Sequence, residues 1–237
     1  RMASRCLPLL FLLPRFPARA SEFAPYNFWT DYRSQIADLR SRIGEMPIAV
    51  TEMGYSTFRN EDTDTRNITL LTQAKYEQRS MILDFDLGVE PTINFIFKRP
   101  FEGQYEREYN FNIVEPDNTP KPIYYAVRNI NAIFDNSMQH APFDVTCENG
   151  TASDLQILAY TKPGEAYDEL IIALWDAVEA DDNNHQVGTC DLVMPSTGYE
   201  GFAFYDLLYE NSQANELNFQ VVDGLVIIPD IPVLDSP

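Results

Sequence analysis

The sequence predicts a mixed fold, with an α/β region of helices and parallel strands followed by an all-β region that forms an antiparallel sandwich. Between residues 28 and 134, apolar positions repeat with the helical period and alternate with short, continuous apolar runs. The resulting order of helix, strand, helix, strand and helix is typical of a parallel α/β sheet or barrel. From about residue 143 onward, short apolar runs separated by turn residues recur at the spacing of an antiparallel sandwich.

The first predicted helix is followed by a short buried strand. Apolar residues four and three positions apart define one face of this helix: Phe28, Tyr32, Ile36, Leu39 and Ile43. Gly44 follows in the usual C-terminal position and ends the helix. The run Pro47–Glu52 is apolar until its last residues and too short for a helix, so it indicates a buried strand.

The remaining elements of both regions follow the same rules. A helix over 71–85 precedes a β-branched and aromatic strand at 91–97, and a third helix runs from 123 to 134 after Pro122. The sandwich strands are predicted at 155–160, 169–175, 187–193, 201–208, 216–222 and 225–228. The boundary lies between residues 136 and 146, which gives predicted domains at 24–138 and 143–237.

Charge and cysteine content exclude several classes of partner and site. The formal net charge is −19, with 36 acidic and 17 basic residues, so nucleic acid and anionic membrane surfaces are not expected partners. The three cysteines match no metal-binding spacing, and no metal or cofactor is predicted. Cys147 and Cys190 both fall on predicted strands or their edges and can pair. Two sequons, Asn67-Ile-Thr69 and Asn149-Gly-Thr151, permit glycosylation of a protein secreted from a eukaryote.

Residues 1–23 differ in character from the rest of the chain. They combine basic residues, the apolar run Leu7–Leu13 and small residues around Ala18, which resembles a secretory signal and predicts an extracellular protein. The alternative is a misread gene start, in which unrelated translation replaces the true upstream sequence. No stretch reaches the roughly 18 apolar residues that a membrane span needs.

Glu52 is the candidate catalytic residue. It sits at the carboxyl end of an apolar strand, where catalytic groups project in barrel folds. A retaining glycosidase needs one carboxylate to attack the anomeric carbon and a second to protonate the leaving oxygen. The alternative is a strand-end glutamate that forms only a structural ion pair.

The sequence around Glu52, Pro-Ile-Ala-Val-Thr-Glu-Met-Gly-Tyr-Ser, resembles the seventh-strand motif of clan A glycoside hydrolases, in which this glutamate is the nucleophile. The matching continues through the segments 73–76, 87–97 and 120–128, which resemble the next helix, the eighth strand and the closing helix. Residues 172–175 and 226–234 resemble the sandwich of β-xylosidase-like and cellulase-like members. The resemblance covers residues 24 to 234. It implies the C-terminal part of a (β/α)8 TIM barrel with an appended β-sandwich, and retaining hydrolysis of a polysaccharide or oligosaccharide without a cofactor.

Further residues are expected to contact the carbohydrate at the rim of the cleft. These are Tyr55 beside the nucleophile and, around the end of the next strand, Asn94, Phe97, Lys98 and Arg99. Packing is an equally good explanation for Tyr55. Family members often carry a sugar-stacking tryptophan on that next strand, whereas this chain has phenylalanines.

The resemblance also predicts what is missing. A full barrel takes about 250 residues, but only about 115 precede the sandwich here, so the first strands and their Asn-Glu acid/base pair are expected to be absent. Asn60-Glu61 falls in a polar loop and Asn215-Glu216 begins a sandwich strand. The chain alone is therefore expected to be inactive, either as a fragment of a hydrolase or as an incomplete gene product.

A non-catalytic carbohydrate-binding protein is the alternative function. It would use exposed aromatic residues of the sandwich, with Tyr199, Tyr205 and Tyr209 as candidates. Trp29 and Trp175 lie in patterned apolar faces and are expected in the core. His140 and His185 stand in polar stretches and match no metal or triad arrangement.

Overall fold

The protein has a mixed α/β fold with mostly antiparallel sheets. The computed structural model describes residues 10–12, 27–58, 68–98, 110–164, 168–183, 185–196 and 198–237. The chain divides into two compact units. Unit 1 comprises residues 1–68 and 80–119, and unit 2 comprises residues 69–79 and 120–237.

Unit 1 contains a parallel three-stranded sheet in the order β1-β2-β3. The elements along this part of the chain are β1 (Leu10–Leu12), α1 (Asn27–Ile43), β2 (Ile48–Met53), α2 (Leu70–Asp86) and β3 (Val89–Asn94). The boundary between the units falls inside α2, whose residues 80–86 belong to unit 1. The two predicted helices and two predicted strands of this region are confirmed. The predicted strand at 91–97 begins earlier, at Val89, and ends at Asn94.

The core of unit 1 lies between α1 and the sheet. Ile36 of α1, Ile48 of β2 and Val89 of β3 are 3% exposed or less and pack together. Tyr32, Leu39, Ile43, Val50 and Leu87 complete this core. The helical period read from the sequence therefore marks the face of α1 that packs on the strands. The three parallel strands fit an α/β sheet, whereas the TIM-barrel fragment itself stays a prediction.

β1 was not predicted. Its residues Leu10–Leu12 fall in the signal-like segment and pair in parallel with Ile48–Val50 of β2. A secretory role of residues 1–23 and a misread gene start both remain open as predictions.

Unit 2 is built mainly from antiparallel strands. Its elements are α3 (Pro122–Ile133), β4 (Gln139–His140), β5 (Thr146–Glu148), β6 (Leu155–Lys162), β7 (Glu169–Asp176), β8 (Gln186–Pro195), β9 (Phe202–Phe204), β10 (Asn215–Leu217), β11 (Gln220–Val222) and β12 (Leu225–Leu234). One sheet has the order β11-β12-β8-β5, a second has the order β4-β6-β7, and β9 pairs with β10. All of these pairs are antiparallel.

The first two of these sheets pack as a sandwich. Alternate residues of β8 and β12 are buried: Cys190, Leu192, Met194, Val226, Ile228, Ile231 and Val233. Against them pack side chains of β6 and β7: Leu155, Ile157, Leu170, Ile172 and Leu174. The predicted antiparallel sandwich is confirmed, and Trp175 is 1% exposed as expected of a core residue. The Trp29 side chain lies outside the described residues.

Several predicted strand bounds differ from the structure for local reasons. The strand predicted at 201–208 ends at Phe204, because the Asp206 carboxylate accepts a hydrogen bond from the backbone N–H of Leu208 and the chain turns. The strand predicted at 216–222 divides into β10 and β11. β12 extends to Leu234, well beyond the predicted end at residue 228.

Helix α3 also groups differently from the prediction, which placed it with the α/β region at 24–138. In unit 2, the Asn129 amide donates hydrogen bonds to the carbonyl oxygens of Leu207 and Tyr209, at 2.8 and 2.9 Å. Lys162 of β6 donates to the carbonyl oxygen of Ile133. These bonds connect α3 to the β-rich part of the chain, which the sequence pattern does not reveal.

A disulfide joins Cys147 of β5 to Cys190 of β8, with 5.5 Å between their Cα atoms. The pairing considered from the sequence is therefore present.

Candidate active site

Glu52 lies at the carboxyl end of β2, one residue before the strand ends at Met53. Its side chain is half-buried. Met53 pairs with Asn94, the last residue of the parallel strand β3. Because parallel strands end at the same edge of a sheet, Glu52 and Asn94 belong to one edge of unit 1, the edge at which α/β proteins bind ligands.

The pairing between β2 and β3 is irregular at Glu52. Val50 pairs with Thr92 and Met53 pairs with Asn94, so Thr51 and Glu52 lie opposite the single residue Ile93. A regular strand would place residue 52 on the same face as Ile48 and Val50, which pack in the core with α1. An extra residue in one strand interrupts this alternation and redirects a side chain, a device found next to active sites.

Gly54 allows two backbone segments to meet directly after the strand. The N–H of Phe95 donates to the carbonyl oxygen of Met53 at 2.7 Å. A Cβ atom at Gly54 would stand 2.6 Å from the carbonyl oxygen of Phe95 and 3.0 Å from the Phe111 ring. Only glycine fits here, because real Cβ contacts are not this short. Gly54 therefore determines how closely the ends of β2 and β3 approach.

Tyr55 is buried rather than open to a ligand. It is 5% exposed, and its hydroxyl forms a 2.6 Å hydrogen bond with the hydroxyl of Ser80. This environment agrees with the packing alternative for Tyr55. The side chain then acts on the site by fixing the backbone three residues after Glu52.

The residues after β3 form a hydrogen-bonded rim. Phe97 is 61% exposed, and its carbonyl oxygen accepts a 2.9 Å hydrogen bond from the N–H of Val114. The amine of Lys98 donates to the side-chain oxygen of Asn118 at 2.6 Å. Arg99 lies outside the described residues. Of the predicted rim residues in the described range, Phe97 is the one whose apolar face is most open to solvent.

Asp84 of α2 is a buried carboxylate that the sequence analysis did not single out. It is 2% exposed and accepts hydrogen bonds from the Tyr32 hydroxyl at 2.6 Å and the Thr92 hydroxyl at 2.7 Å. Burial raises its pKa to about 6, against the lowering effect of these two bonds. Because Tyr32 packs in the core between α1 and the sheet, Asp84 lies on the helix side of the sheet rather than at its carboxyl edge. In the sequence, the burial of this carboxylate is indicated by the position of Asp84 within the apolar run of residues 81–85.

In unit 2, His185 is part of a charged network rather than isolated, which corrects the prediction. Its Nδ1 lies 2.7 Å from Asp235, and its Nε2 lies 3.0 Å from Asp206. Burial works to lower the pKa of His185, but the bonds to Asp206 and Asp235 outweigh it and raise the pKa to about 8. Sequence spacing gives no sign of this network, because its members are 21 and 50 residues from His185.

The network continues to a fully buried ion pair. Asp235 accepts from the Lys75 amine, and both side chains are 0% exposed. Lys75 also donates to the carbonyl oxygen of Asp181, and the N–H of Asp181 donates to Asp235 at 2.8 Å. Since each charged group here already has partners within unit 2, the network fits a structural role. His140 lies instead against the Tyr160 ring, with 5.0 Å between ring centroids.

The candidate sugar-binding tyrosines of the sandwich differ in environment. Tyr205 and Tyr209 are 48% and 49% exposed. Tyr209 has its ring edge-on to His185, with centroids 6.4 Å apart, whereas Tyr199 is half-buried and packs against Phe202. Two exposed tyrosines are therefore available to a ligand.

Across the described ranges, no three His, Cys, Asp or Glu side chains lie together in a way that could hold a metal ion. Within the same ranges, none of the helices combines the length and apolar character needed to cross a membrane.

No family model matches the sequence, and no curated protein matches it. Among solved structures, the chain is similar to a family 39 glycoside hydrolase from the gut symbiont Bacteroides cellulosilyticus WH2, with 19% sequence identity and a TM-score of 0.41. The similarity covers 87% of this chain and 36% of that one. The chain thus spans much less than the full length of that hydrolase, and at this TM-score the similarity does not establish a family.

Proposed function

We propose that Glu52 is the nucleophile in the retaining hydrolysis of O-glycosidic bonds in a polysaccharide or oligosaccharide. The observation that carries the proposal is the position of Glu52, a half-buried carboxylate at the carboxyl edge of parallel strands and within a shift of strand register. The resemblance of residues 47–56 to the nucleophile strand of clan A glycoside hydrolases supports the same role.

The proposed reaction has two steps. A carboxylate oxygen of Glu52 attacks the anomeric carbon, the bond from that carbon to the leaving oxygen breaks, and a glycosyl ester of Glu52 forms. Water then attacks the same carbon, the bond from that carbon to the Glu52 oxygen breaks, and the water proton passes to the carboxylate that had protonated the leaving oxygen, so the sugar is released with its original configuration. The leaving oxygen needs a proton from a second carboxylic acid. No acid/base residue is assigned here, because Asn215-Glu216 begins the sandwich strand β10 and Asn60-Glu61 lies outside the described residues.

The proposed contacts with the sugar come from the rim beyond β3. Exposed Phe97 offers an apolar ring face on which a sugar can stack, and half-buried Asn94 offers an amide beside the end of β2. Lys98 and Arg99 remain proposed polar contacts. Buried Tyr55 fits a positioning role better than direct contact.

A covalent-trapping experiment tests the nucleophile separately from the acid. A panel of 2-fluoro glycosides with a dinitrophenolate leaving group is incubated with the chain, since this group departs without being protonated. Digestion and mass spectrometry then locate the trapped sugar. We expect an ester on the peptide that contains Glu52. The variant Glu52→Gln should form none, and the matched control Glu45→Gln, which alters an exposed glutamate before β2, should react like the wild type.

Circular dichroism establishes that each variant is folded before the labelling is compared. Labelling at another residue, or equal labelling of Glu52→Gln, would contradict the assignment. The chain alone is expected not to turn over natural glycosides, because no acid/base residue is assigned, but trapping by these reagents needs only the nucleophile. A folded wild-type chain that no glycoside of the panel labels would therefore equally contradict the assignment of Glu52.

A second candidate is non-catalytic carbohydrate binding by unit 2, which the exposure of Tyr205 and Tyr209 favours. Affinity electrophoresis in gels that contain soluble polysaccharides distinguishes the two functions. Binding that is retained in Glu52→Gln and lost in Tyr205→Ala and Tyr209→Ala would assign the carbohydrate site to the sandwich.

We also propose that the protein is extracellular. The disulfide between Cys147 and Cys190 supports this location, because disulfides persist in oxidising compartments. Fractionation of the source cells and medium, followed by immunoblotting, is the direct test.

A further inference from the structure

The sequon Asn149-Gly150-Thr151 occupies the end of an exposed sheet edge. It directly follows β5, which is the last strand in the order β11-β12-β8-β5 and, among the described residues, pairs on one side only, with β8. Asn149, Gly150 and Thr151 are all exposed. A bulky group on the Asn149 side chain would therefore extend into solvent and would not displace the core of the sandwich.

Hydrogen bonds hold this turn in a defined conformation. Asn149 has a φ of 53°, in the left-handed region that asparagine tolerates. Its Nδ2 donates a 2.8 Å hydrogen bond to the Asp191 carboxylate. The N–H of Thr151 donates to the carbonyl oxygen of Thr189, and the N–H of Thr189 donates to the Thr151 hydroxyl, both at 3.1 Å. The bond to Asp191 uses one Nδ2 hydrogen of Asn149, so attachment of a sugar would replace the other hydrogen and leave this bond in place.

The turn also lies beside the disulfide. A Cβ atom at residue 150 would stand 2.6 Å from the sulfur of Cys147, so the glycine lets the chain pass close to the bond between Cys147 and Cys190. Disulfide formation and N-glycosylation both belong to the oxidising secretory route of eukaryotic cells. Asn67, the acceptor of the second sequon, lies outside the described residues.

We propose that Asn149 carries an N-linked oligosaccharide. The glycosyl donor is a lipid-pyrophosphate-linked oligosaccharide. In the transfer, Nδ2 of Asn149 forms a bond to the anomeric carbon, the bond from that carbon to the pyrophosphate oxygen breaks, and the displaced proton leaves with the lipid pyrophosphate. The remaining N–H of Nδ2 keeps its hydrogen bond to Asp191.

The oligosaccharide would also protect the sheet edge. An exposed edge strand offers unpaired N–H and C=O groups to other chains and is a site of aggregation. A hydrated glycan at the end of β5 sterically blocks approach along that edge. This role does not depend on the chemistry of Glu52.

The test is site-resolved glycopeptide analysis. The full chain is expressed in a eukaryotic cell behind a cleavable secretion leader, so that the result does not depend on residues 1–23. Material from both medium and cell lysate is digested with and without peptide N-glycosidase, which converts a glycosylated asparagine to aspartate. We expect the Asn149 peptide to carry a glycan and the enzyme to convert that residue.

The variants make the assignment specific. Asn149→Gln and Thr151→Ala should each lose one glycan, whereas Thr151→Ser, which keeps both the sequon and the hydroxyl, should retain it. Asn67→Gln should leave the Asn149 glycan in place. An unmodified Asn149 peptide in both medium and lysate, or a glycan found at Asn67 alone, would overturn the proposal.

Discussion

Lys75 and Asp235 form an ion pair from which solvent is excluded. The Lys75 amine lies 2.8 Å from both carboxylate oxygens of Asp235, and both side chains are 0% exposed. The two residues are 160 positions apart in the sequence and belong to the same compact unit. Their pairing fixes the first turns of α2 to the end of β12 inside unit 2.

Removing one member of this pair should strongly destabilise unit 2. In Lys75→Met, the buried Asp235 loses its fully buried cation and keeps only the partly exposed His185, and the loss of one partner of a buried pair typically costs about 3–5 kcal/mol. Urea unfolding followed by fluorescence measures this change. The partly exposed pair of Lys162 and Asp135 supplies the control, because Lys162→Met should shift the midpoint much less. Equal shifts of the urea midpoint in Lys75→Met and Lys162→Met would contradict the expectation that the buried ion pair matters more than the partly exposed one.

The network around His185 should make stability depend on pH near neutrality. Folding raises the pKa of His185 from 6.5 to about 8, so the charged imidazole stabilises the fold fully below pH 6.5, and this contribution is lost as the pH rises through 8. Partial exposure reduces the expected contribution to about 1 kcal/mol. Unfolding free energies of the wild type and His185→Gln, measured between those pH values, should converge at the alkaline end. A difference in unfolding free energy between the wild type and His185→Gln that stays constant across this pH range would refute the dependence. NMR titration of the imidazole measures the pKa of His185 directly.

Asp84 should also make stability fall as the pH rises, but in a lower pH range and through its neutral rather than its charged form. Its folded-state pKa of about 6 exceeds the ordinary 3.8, so its neutral form favours folding and its ionised form opposes folding. The wild type should therefore lose stability relative to Asp84→Asn as the pH rises from about 4 to about 6, by on the order of 2 kcal/mol. Chemical denaturation at several pH values tests this. A difference between the two proteins that does not change with pH would show that the carboxyl group is not perturbed.

Gly54 should resist replacement by alanine. The new Cβ would stand 2.6 Å from a backbone oxygen of Phe95, so the ends of β2 and β3 must separate, at a cost of about 1–3 kcal/mol. We expect a lower melting temperature and weaker trapping of Glu52 by the fluoro glycosides. Gly201→Ala is the matched control, because a Cβ there meets no atom within 4 Å and its φ is not in the left-handed region. A Gly54→Ala protein with normal stability and labelling would show that the close approach is not required.

The sequence alone predicted the features that depend on local chemistry. The apolar period of residues 28–43 located α1, the short apolar run before Glu52 located β2, and the turn residues after position 143 indicated the antiparallel sandwich. Cys147 and Cys190 were recognised as a possible pair, and Trp175 as a core residue. Each of these features follows from periodicity or residue type within a short window, which sequence reading captures well.

Only the tertiary structure decided the relationships between distant residues. It showed that the pairing of β2 with β3 changes register at Glu52 and that buried Asp84 accepts hydrogen bonds from Tyr32 and Thr92. It also showed that the His185 ring bridges two carboxylates. It also grouped α3 with the β-rich unit. These features result from contacts between residues far apart in the chain, and neither their burial nor their partners are encoded in local pattern. The sequence therefore determined which elements form and which carboxylate to examine, whereas packing determined the surroundings and charge of each polar group.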